Sequence, residues 1–333
     1  MGFYKLLAFL IALTVMLTPL LSLKGTRSGN TEKPKELTSE SDEQSGESPK
    51  ADGRVKVLLK EEGDVIEVEL REYLLGVLAA EMPATYHEEA LKAQAVTAYT
   101  YLLYRRGVQA EKPDATLKGA DLSDDSSTHQ GYLTAEAREE KWGDKAKTYE
   151  KKLTEAIEAV SGEVITFEGK PIMAAFHAIN SGVTNSAKTV WGGDVAYLQS
   201  VVSTGDRLSP DCTKTVVIKA DELSRMLNGL EGCELSGEAE DWLGEIRTNS
   251  SGYVTGITAG GKEYNGAKFR EAAGLRSATF TYEYKSGNFR FTTEGYGHGV
   301  GLSQYGADYM ARQGSTWEEI IRHYYTGVEI ERI

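Results

Sequence analysis

The longest uncharged stretch of this chain stands at its N-terminus and limits which residues can form a globular domain. Residues 6–23, LLAFLIALTVMLTPLLSL, carry no charge and reach the lower length limit for a membrane-spanning helix. No small-residue cleavage site follows, because Leu23 leads directly into Lys24. We therefore predict a transmembrane signal anchor over 6–23 behind a short cytoplasmic N-terminus over 1–5, rather than a cleaved signal peptide.

The segment after the apolar run is too polar to form a core. Residues 24–53 are rich in Ser, Glu, Lys, Gly and Asp, and they cannot bury enough apolar surface to offset their chain entropy. We predict a flexible linker over 24–53 and one large folded domain over 54–333, on the extracytoplasmic side. Within it, residues 205–290 are predicted to form a smaller subdomain or insertion.

The pattern of apolar residues after position 53 predicts an α+β fold of mixed, mostly antiparallel sheets with several helices. Strands and helices do not alternate regularly, so the pattern does not indicate a parallel sheet. Hairpins are predicted at 54–70, at 163–178 around Gly169, at 245–264, and at 280–295 around residues 286–288. Helices are predicted at 71–82, after a cap at Thr85, at 148–162, 220–230 and 268–274, and on both sides of Gly314, with 107–142 rich in loops.

Composition excludes some classes of function. The net charge of −13 and the lack of any Lys/Arg cluster argue against a nucleic-acid partner, which would require a basic face. Cys212 and Cys233 are too few and too widely spaced for a CxxC zinc site. They either pair as a disulfide or remain two reduced thiols. The five histidines show neither HExxH nor HxH spacing.

One acidic residue stands out at the end of an apolar helix. Leu70, Leu74, Val77 and Glu81 share one helix face, so Glu81 points where the core points. Pro83 biases the preceding residue out of the α region, which predicts that the helix ends here. A carboxyl held against apolar surface is harder to ionise and suits a general acid. The alternative is a frayed helix end in water.

Two neighbouring acids have a structural explanation. Thr85 and Glu88 fit a capping box that predicts the start of the second helix, with Glu89 favourable in its first turn. Ser315 and Glu318 fit a second capping box near the C-terminus.

Glycines are concentrated in GYGHGVGLSQYGA, residues 295–307. The spacing fits neither GxGxxG nor a P-loop, so phosphate binding is not supported. Either the backbone approaches a ligand closely here, or the run forms tight turns or a packed strand. The segment 176–201 combines polar side chains with aromatic ones, a composition that suits sugars but is also common in ordinary loops.

Three segments together resemble the stage II sporulation protein D family. They are LLGVLAAEMPATYHEEALKAQAV, NSGVTNSAKTVWGGDVAYLQSVVS and GYGHGVGLSQYGADYMARQGSTWEEIIRHYYTGVEI, in the same order and spacing as in the family. The resemblance covers residues 54–333. It implies a membrane-anchored lytic transglycosylase (a lyase) that degrades peptidoglycan glycan strands in the cell wall during engulfment in sporulation. It implies Glu81 as the catalytic acid.

The resemblance also implies partners, a location and a substrate groove. The partners are denuded glycan strands, stage II sporulation protein P, which is an amidase, and stage II sporulation protein M. The location is the cell membrane, crossed once, with the catalytic domain in the septal intermembrane space of the sporulating cell. No cofactor is expected. The residues expected to line the groove are Thr184, Tyr197, His298, Gln304 and Tyr305.

The sequence departs from the family pattern at two places. The arginine that usually follows the catalytic motif is Tyr99 here, and Arg105 or Arg106 is a candidate to compensate for the lost cation. Some members bind zinc through His and Cys residues after this helix, whereas the matching stretch here has only His129. No motif identifies a second carboxylate, and Asp194, Asp206 and Glu294 are the candidates.

Two other functions fit the same residues. The domain is associated with enhancers of an N-acetylmuramoyl-L-alanine amidase, so a non-catalytic glycan-binding protein is one alternative. A metal-dependent hydrolase that assembles its ligands from distant residues is the other.

We predict that the purified protein carries no stoichiometric zinc, because the stretch around His129 lacks the cysteines that would complete a zinc site. Elemental analysis of protein purified without chelator measures this directly. One zinc ion per chain would contradict the prediction.

Overall fold

The computed structural model describes residues 53–333, and this part of the chain is an α+β protein with several helices and mostly antiparallel sheets, as predicted. The helices are α1 (Leu70–Glu81), α2 (Glu88–Glu111), α3 (Ala135–Trp142), α4 (Ala146–Ala159), α5 (Ala187–Trp191), α6 (Ala220–Leu227), α7 (Gly266–Ala272), α8 (Gln304–Arg312) and α9 (Trp317–Tyr324). The predicted anchor over 6–23 lies outside the described residues, as does nearly all of the predicted linker. Within 53–333, no helix is both long and apolar enough to span a bilayer.

The strands form small sheets. They are β1 (Arg54–Leu59), β2 (Asp64–Glu69), β3 (Leu122–Ser123), β4 (Glu163–Phe167), β5 (Lys170–Pro171), β6 (Phe176–His177), β7 (Thr213–Lys219), β8 (Leu243–Thr248), β9 (Val254–Ala259), β10 (Lys262–Tyr264), β11 (Thr279–Lys285), β12 (Asn288–Glu294), β13 (Leu302–Ser303) and β14 (Glu329–Arg332). Their orders are β2-β1-β3, β10-β9-β8, β11-β12-β7, β13-β6 and β14-β4-β5. The pairs β1–β3 and β6–β13 are parallel, and the other pairs are antiparallel.

Helix α2 is the centre of the main core. The apolar side chains of Leu91, Ala95, Ala98 and Leu102 along it are buried, and so are the polar side chains of Gln94 and Thr97. The helix packs against α1, α4, α8, α9 and β4. Its many alanines let these neighbours approach closely, which explains why one helix can be enclosed on several sides.

A second hydrophobic cluster lies between positions 218 and 291. Its centre is a group of phenylalanine rings, among them Phe269, Phe280, Phe289 and Phe291. Strands β7 to β12 with α6 and α7 supply it. The division of the chain into domains stays a prediction.

The helix boundaries beside Glu81 confirm one prediction and correct another. Helix α1 ends at Glu81, and Met82 before Pro83 is extended with φ −123° and ψ 143°. The predicted capping box of Thr85 is wrong, because the N-cap of α2 is His87, whose ring nitrogen accepts from Glu89 N–H at 3.3 Å. The His87 N–H donates to Asp308 Oδ1 at 2.6 Å, and this tertiary contact fixes where the helix begins.

The second capping box is shifted by one residue from its predicted position. Thr316 Oγ1 accepts from the backbone of Glu319, and Glu319 accepts from Thr316 N–H at 3.0 Å. Ser315 with Glu318 and Thr316 with Glu319 both fit the S/T-x-x-E pattern. In the observed helix, which starts after Thr316, Ile320 and Ile321 are buried in the core. The prediction of loops over 107–142 is partly wrong, because α2 continues to Glu111 and α3 lies within the segment.

The two cysteines do not pair. Cys212 and Cys233 are free thiols, so of the two alternatives the structure has the reduced one. Cys212 is buried, with its sulfur 3.8 Å from the Asn180 carbonyl oxygen.

We predict opposite effects on stability from alanine at two helical glycines. A Cβ at Gly76 would lie 2.3 Å from the Tyr132 ring and 2.6 Å from the Leu133 carbonyl oxygen, so Gly76→Ala should destabilise the protein by about 1–3 kcal/mol. Gly107 has open space around it in α2, so Gly107→Ala should stabilise by about 0.5–1 kcal/mol. Urea unfolding of the two variants measures both, and a Gly76→Ala protein as stable as wild type would contradict the packing of α1 on Tyr132.

Candidate active site

The carboxyl of Glu81 is held at the C-terminal end of α1 against a loop from later in the chain. The Gly131 N–H donates to Glu81 Oε1 at 2.5 Å. The Gln304 side-chain amide lies beside the same carboxyl and favours its ionised form, although among residues 53–333 its nitrogen makes no hydrogen bond of full geometry. Lys141 at the end of α3 is the charged group near this carboxyl. A carboxyl with these neighbours has a fixed position and direction.

Burial raises the pKa of Glu81 above its ordinary value. The hydrogen bond from Gly131, the Gln304 amide and the Lys141 ammonium each act in the opposite direction and lower that pKa, but burial is the largest effect. The carboxyl therefore holds its proton to higher pH than a solvated glutamate does, and its carboxylate still has donors once it forms. Both properties suit one group that first donates and then accepts a proton.

The loop that carries Gly131 is fixed by the residues on both sides of it. Gln130 is buried, and its amide nitrogen donates to the Tyr73 hydroxyl at 2.5 Å and to the Ala98 carbonyl at 3.2 Å. Leu133 N–H donates to Gly76 O at 3.1 Å. A side chain at Gly131 would place its Cβ 3.0 Å from Glu81 Oε1, so glycine lets the backbone come this close.

Sequence patterns did not single out Gly131 or Lys141. Gly131 acts through a backbone N–H, which no side-chain motif reports. Lys141 lies on the exposed side of a short helix, and its ammonium donates to Ala79 O at 2.7 Å, two residues before the end of α1. The one sequence feature that could have indicated Gly131 is its position as a glycine at the end of a polar loop. Such glycines are too common to identify a functional residue.

Two of the predicted groove residues lie at the N-terminus of α8, on the same side as the acid. Gln304 is the first residue of α8 and contacts Glu81. The partly exposed ring of Tyr305 packs edge-on against Tyr86, with ring centroids 6.3 Å apart. Tyr86 belongs to the link between α1 and α2. The structure therefore brings Gln304 and Tyr305 to the segment that follows the acid.

His298 belongs to a neighbouring aromatic cluster. Its ring lies 5.8 Å from that of His177 and 5.2 Å from that of Trp191. Its Nδ1 accepts from Val300 N–H at 3.1 Å, and burial lowers the pKa of His298 to about 3, so the ring is neutral at physiological pH. His177 pairs with Ser303 across β6 and β13, which places this cluster beside the start of α8.

Thr184 and Tyr197 make contacts within the fold. Thr184 is buried, and its hydroxyl accepts from Val201 N–H at 2.9 Å. The Tyr197 hydroxyl accepts from Met173 N–H at 3.1 Å, and its ring packs on Phe167 at 5.5 Å. Neither hydroxyl bonds to Glu81. The substrate-binding role of these five residues stays a prediction.

The glycine run packs against the strand region before it. Gly297 and Gly301 have positive φ, and a Cβ at Gly301 would lie 2.0 Å from the Ala175 carbonyl oxygen. At Gly297 it would lie 2.8 Å from the His177 side chain. Of the alternatives left open by the sequence, this geometry supports close packing of turns on residues 175–180.

None of the candidate second carboxylates faces Glu81. Asp194 is exposed and lies 3.7 Å from Lys188, and Glu294 is exposed at the end of β12. Asp206 is fully buried and accepts hydrogen bonds from Asn180, Ser203 and Ser303. Within residues 53–333, no group of three or more His, Cys, Asp or Glu side chains could hold a metal ion.

Tyr99 lies at the opposite end of α1 from the acid. With Leu70, Leu74 and Ile157 it lines a cavity of about 300 Å³. Leu70 and Glu81 are eleven residues apart on one helix, which corresponds to roughly 16 Å. A cation at position 99 would therefore not lie beside the carboxyl.

Neither of the two candidate replacements for the lost cation approaches the acid. Arg106 pairs with Asp121 at 3.0 Å, and Arg105 is buried beside His129. Lys141 supplies the positive charge near Glu81 instead.

The fold and site define a class of α+β protein with a half-buried, hydrogen-bonded acid at a helix end. The family model described as "Stage II sporulation protein" matches residues 60–167. The chain is 38% identical over 264 residues to stage II sporulation protein D of Bacillus amyloliquefaciens, covering 79% of this chain and 74% of that protein. The Bacillus subtilis protein of the same name is 37% identical over the same shares.

A more distant relative has a different name. The amidase enhancer of Bacillus subtilis is 24% identical over 310 residues, which cover 77% of this chain and 40% of that protein. The level of identity to the two stage II proteins identifies the family. The chain belongs to the stage II sporulation protein D family and is a sporulation protein.

We predict that Glu81→Gln stabilises the fold at neutral pH but not in acid. Because the pKa of Glu81 in the folded protein is raised above 4.5, stability present below that pH is lost as the pH rises through the folded pKa. The glutamine variant does not ionise, so its advantage in free energy of unfolding should grow from pH 4 to pH 8, by about 1.4 kcal/mol per unit of raised pKa. Urea unfolding across this range measures it, and a constant difference would contradict the prediction.

Proposed function

We propose that the protein is a lytic transglycosylase that cleaves denuded peptidoglycan glycan strands, with Glu81 as its acid and base. The observation that carries the proposal is the Glu81 carboxyl itself. It is half-buried, it receives the Gly131 N–H at 2.5 Å, and it has no carboxylate partner among residues 53–333. Ordinary glycosidases use a pair of carboxylates flanking the bond. A site with one carboxyl fits a reaction in which the same group acts twice.

The proposed reaction needs neither water nor a second acid. The protonated Glu81 donates its proton to the glycosidic oxygen as the bond from that oxygen to the muramic anomeric carbon breaks. The resulting carboxylate removes the proton from the 6-hydroxyl of the same sugar. The hydroxyl oxygen then attacks the anomeric carbon and closes a 1,6-anhydro ring. Glu81 ends protonated, as it began.

The surroundings of Glu81 support both halves of this sequence. Burial raises the pKa of Glu81 and so keeps the proton available for the first step. The Gly131 N–H and the Lys141 ammonium stabilise the carboxylate formed between the steps. Gln304 and Tyr305 lie where they could orient a sugar, and His298 and Trp191 could extend the groove.

The proposal extends to location and partners. An anchor over 6–23 would hold the domain outside the membrane, in the septal space of the sporulating cell. There the chain would act on strands stripped of peptides by stage II sporulation protein P, together with stage II sporulation protein M. Family membership supports this part of the proposal, because two relatives bear the name stage II sporulation protein D.

A second candidate is a glycan-binding protein that raises the rate of an amidase without cutting strands. The likeness to the amidase enhancer favours it, although the chain covers only 40% of that protein. The two functions differ in their products, because only the first generates anhydro ends. A mixture of this protein, an amidase and intact peptidoglycan discriminates them: faster peptide release without anhydro ends would support the enhancer.

We predict that the wild-type protein releases 1,6-anhydro-muramic products from amidase-treated peptidoglycan, and that Glu81→Gln lowers the rate about 10²–10⁴-fold. Glu88→Gln is the matched control, because Glu88 is exposed in the first turn of α2 and lies 3.8 Å from Lys92. It should retain activity. Mass spectrometry of the soluble products measures both. No anhydro product from wild type, or undiminished release by Glu81→Gln, would reject the proposal.

A further inference from the structure

Asp206 is a fully buried carboxylate that the proposed chemistry does not use. It is 0% exposed and lies in a short 3₁₀ turn over Thr204–Leu208. Its Oδ1 accepts from Asn180 N–H at 3.1 Å and from the Ser303 hydroxyl at 2.5 Å. Its Oδ2 accepts from Asn180 Nδ2 at 2.8 Å and from the Ser203 hydroxyl at 2.6 Å.

These contacts join segments that are far apart in sequence. Ser203 also bonds the Tyr324 hydroxyl of α9 at 2.6 Å. Ser303 is the N-cap of α8, since its hydroxyl oxygen accepts from Gly306 N–H at 3.3 Å while its proton goes to Asp206. A Cβ at Gly306 would lie 2.6 Å from Asp206 Oδ2. The first turn of α8 is therefore pressed onto the carboxylate, where its positive dipole end is favourable.

The residue that directly follows this cap is the one beside the acid. Gln304 begins α8 and is 4% exposed. Its side-chain amide lowers the pKa of the Glu81 carboxyl, and its buried amide nitrogen makes no hydrogen bond of full geometry among residues 53–333, so it is free to turn toward that carboxyl. Asp206 itself makes no hydrogen bond to Glu81. Its connection to the acid runs through the Ser303 hydroxyl and the first turn of α8.

We propose that Asp206 is a positioning residue that, through Ser303, holds Gln304 against the Glu81 carboxyl. For its catalytic consequence the inference rests on the proposed function, but the geometric claim does not. Buried carboxylates bonded by several donors are rigid, and the direction of a helix-terminal side chain depends on its cap. Loss of the Asp206–Ser303 bond should free the first turn of α8 and withdraw the Gln304 amide.

Three groups besides Gln304 face Glu81. They are Lys141 from α3, the Tyr73 hydroxyl from α1, and the Gly131 N–H. None of them bonds to Asp206 or Ser303. A change in the titration of Glu81 on loss of the Ser303 hydroxyl would therefore report the displacement of Gln304.

The test is a titration of the Glu81 carboxyl by ¹³C NMR in the full-length protein, with Glu81→Gln identifying the resonance. Gln304 favours the ionised form, so Ser303→Ala, Asp206→Asn and Gln304→Leu should each move the midpoint to higher pH. Thr316→Ala removes the N-cap hydroxyl of the next helix, α9, and should leave the midpoint unchanged. Ser303→Ala combined with Gln304→Leu should shift it no further than Gln304→Leu alone.

The outcomes separate this inference from the proposed function. If Ser303→Ala lowers the melting temperature but leaves the Glu81 midpoint at the wild-type value, Asp206 has only a structural role and the inference fails. A shift in the double variant that equals the sum of the single shifts would also overturn it. If the midpoints move as expected but the wild type releases no anhydro products, the inference stands and the proposed function fails.

Discussion

The enclosure of α2 is the constraint on which the site depends. One face of this helix packs α1, which ends in Glu81, and another packs α8, which begins with Gln304. Small side chains at Ala93, Ala95 and Ala98 keep both neighbours close, so the end of one helix and the start of the other meet beside the same buried helix. The α1–α2 link is tied to α8 a second time, since Asp308 accepts the His87 N–H at 2.6 Å. The acid and its amide neighbour are thus fixed to each other by packing, even though they are more than two hundred residues apart in the chain.

At Glu81 two opposing effects determine how readily the carboxyl ionises. Burial favours the neutral carboxyl, whereas one backbone N–H, one amide and one ammonium favour the carboxylate. A site dominated by burial alone would hold its proton tightly and would have no donor for the charge left after proton transfer. A site dominated by donors would be ionised before the reaction began. The balance here leaves the pKa of Glu81 raised while both protonation states have partners, which is the requirement for a group that must donate and then accept.

The sequence predicted local features well and tertiary partners poorly. The end of α1 at Glu81 followed from apolar periodicity and Pro83, both of which act within a few residues. The cap of α2 was predicted two residues too early, because the contact of His87 with Asp308 fixes its start. The capping box of α9 was predicted one residue too early, because two S/T-x-x-E pairs fit there. Gly131 could not be predicted: its backbone donor lies 50 residues from the acid, and any residue type has an N–H. The small size of glycine becomes meaningful only when the approach to Glu81 is known.

Asp206 shows why a search by residue type alone would mislead in this fold. As a carboxylate in a polar segment it was a reasonable candidate for a second catalytic acid, yet its oxygens accept four hydrogen bonds and none is directed at Glu81. Burial raises the pKa of Asp206, while those donors oppose the shift, so the same two effects operate at both acids. What differs is the partners. Those of Asp206 are hydroxyls and an asparagine that close the carboxylate off, whereas Glu81 lies beside Gln304, whose amide nitrogen lacks a full hydrogen bond among residues 53–333. The four donors of Asp206 bind its carboxylate into the fold, whereas beside Glu81 one amide nitrogen keeps a proton that no hydrogen bond of full geometry uses.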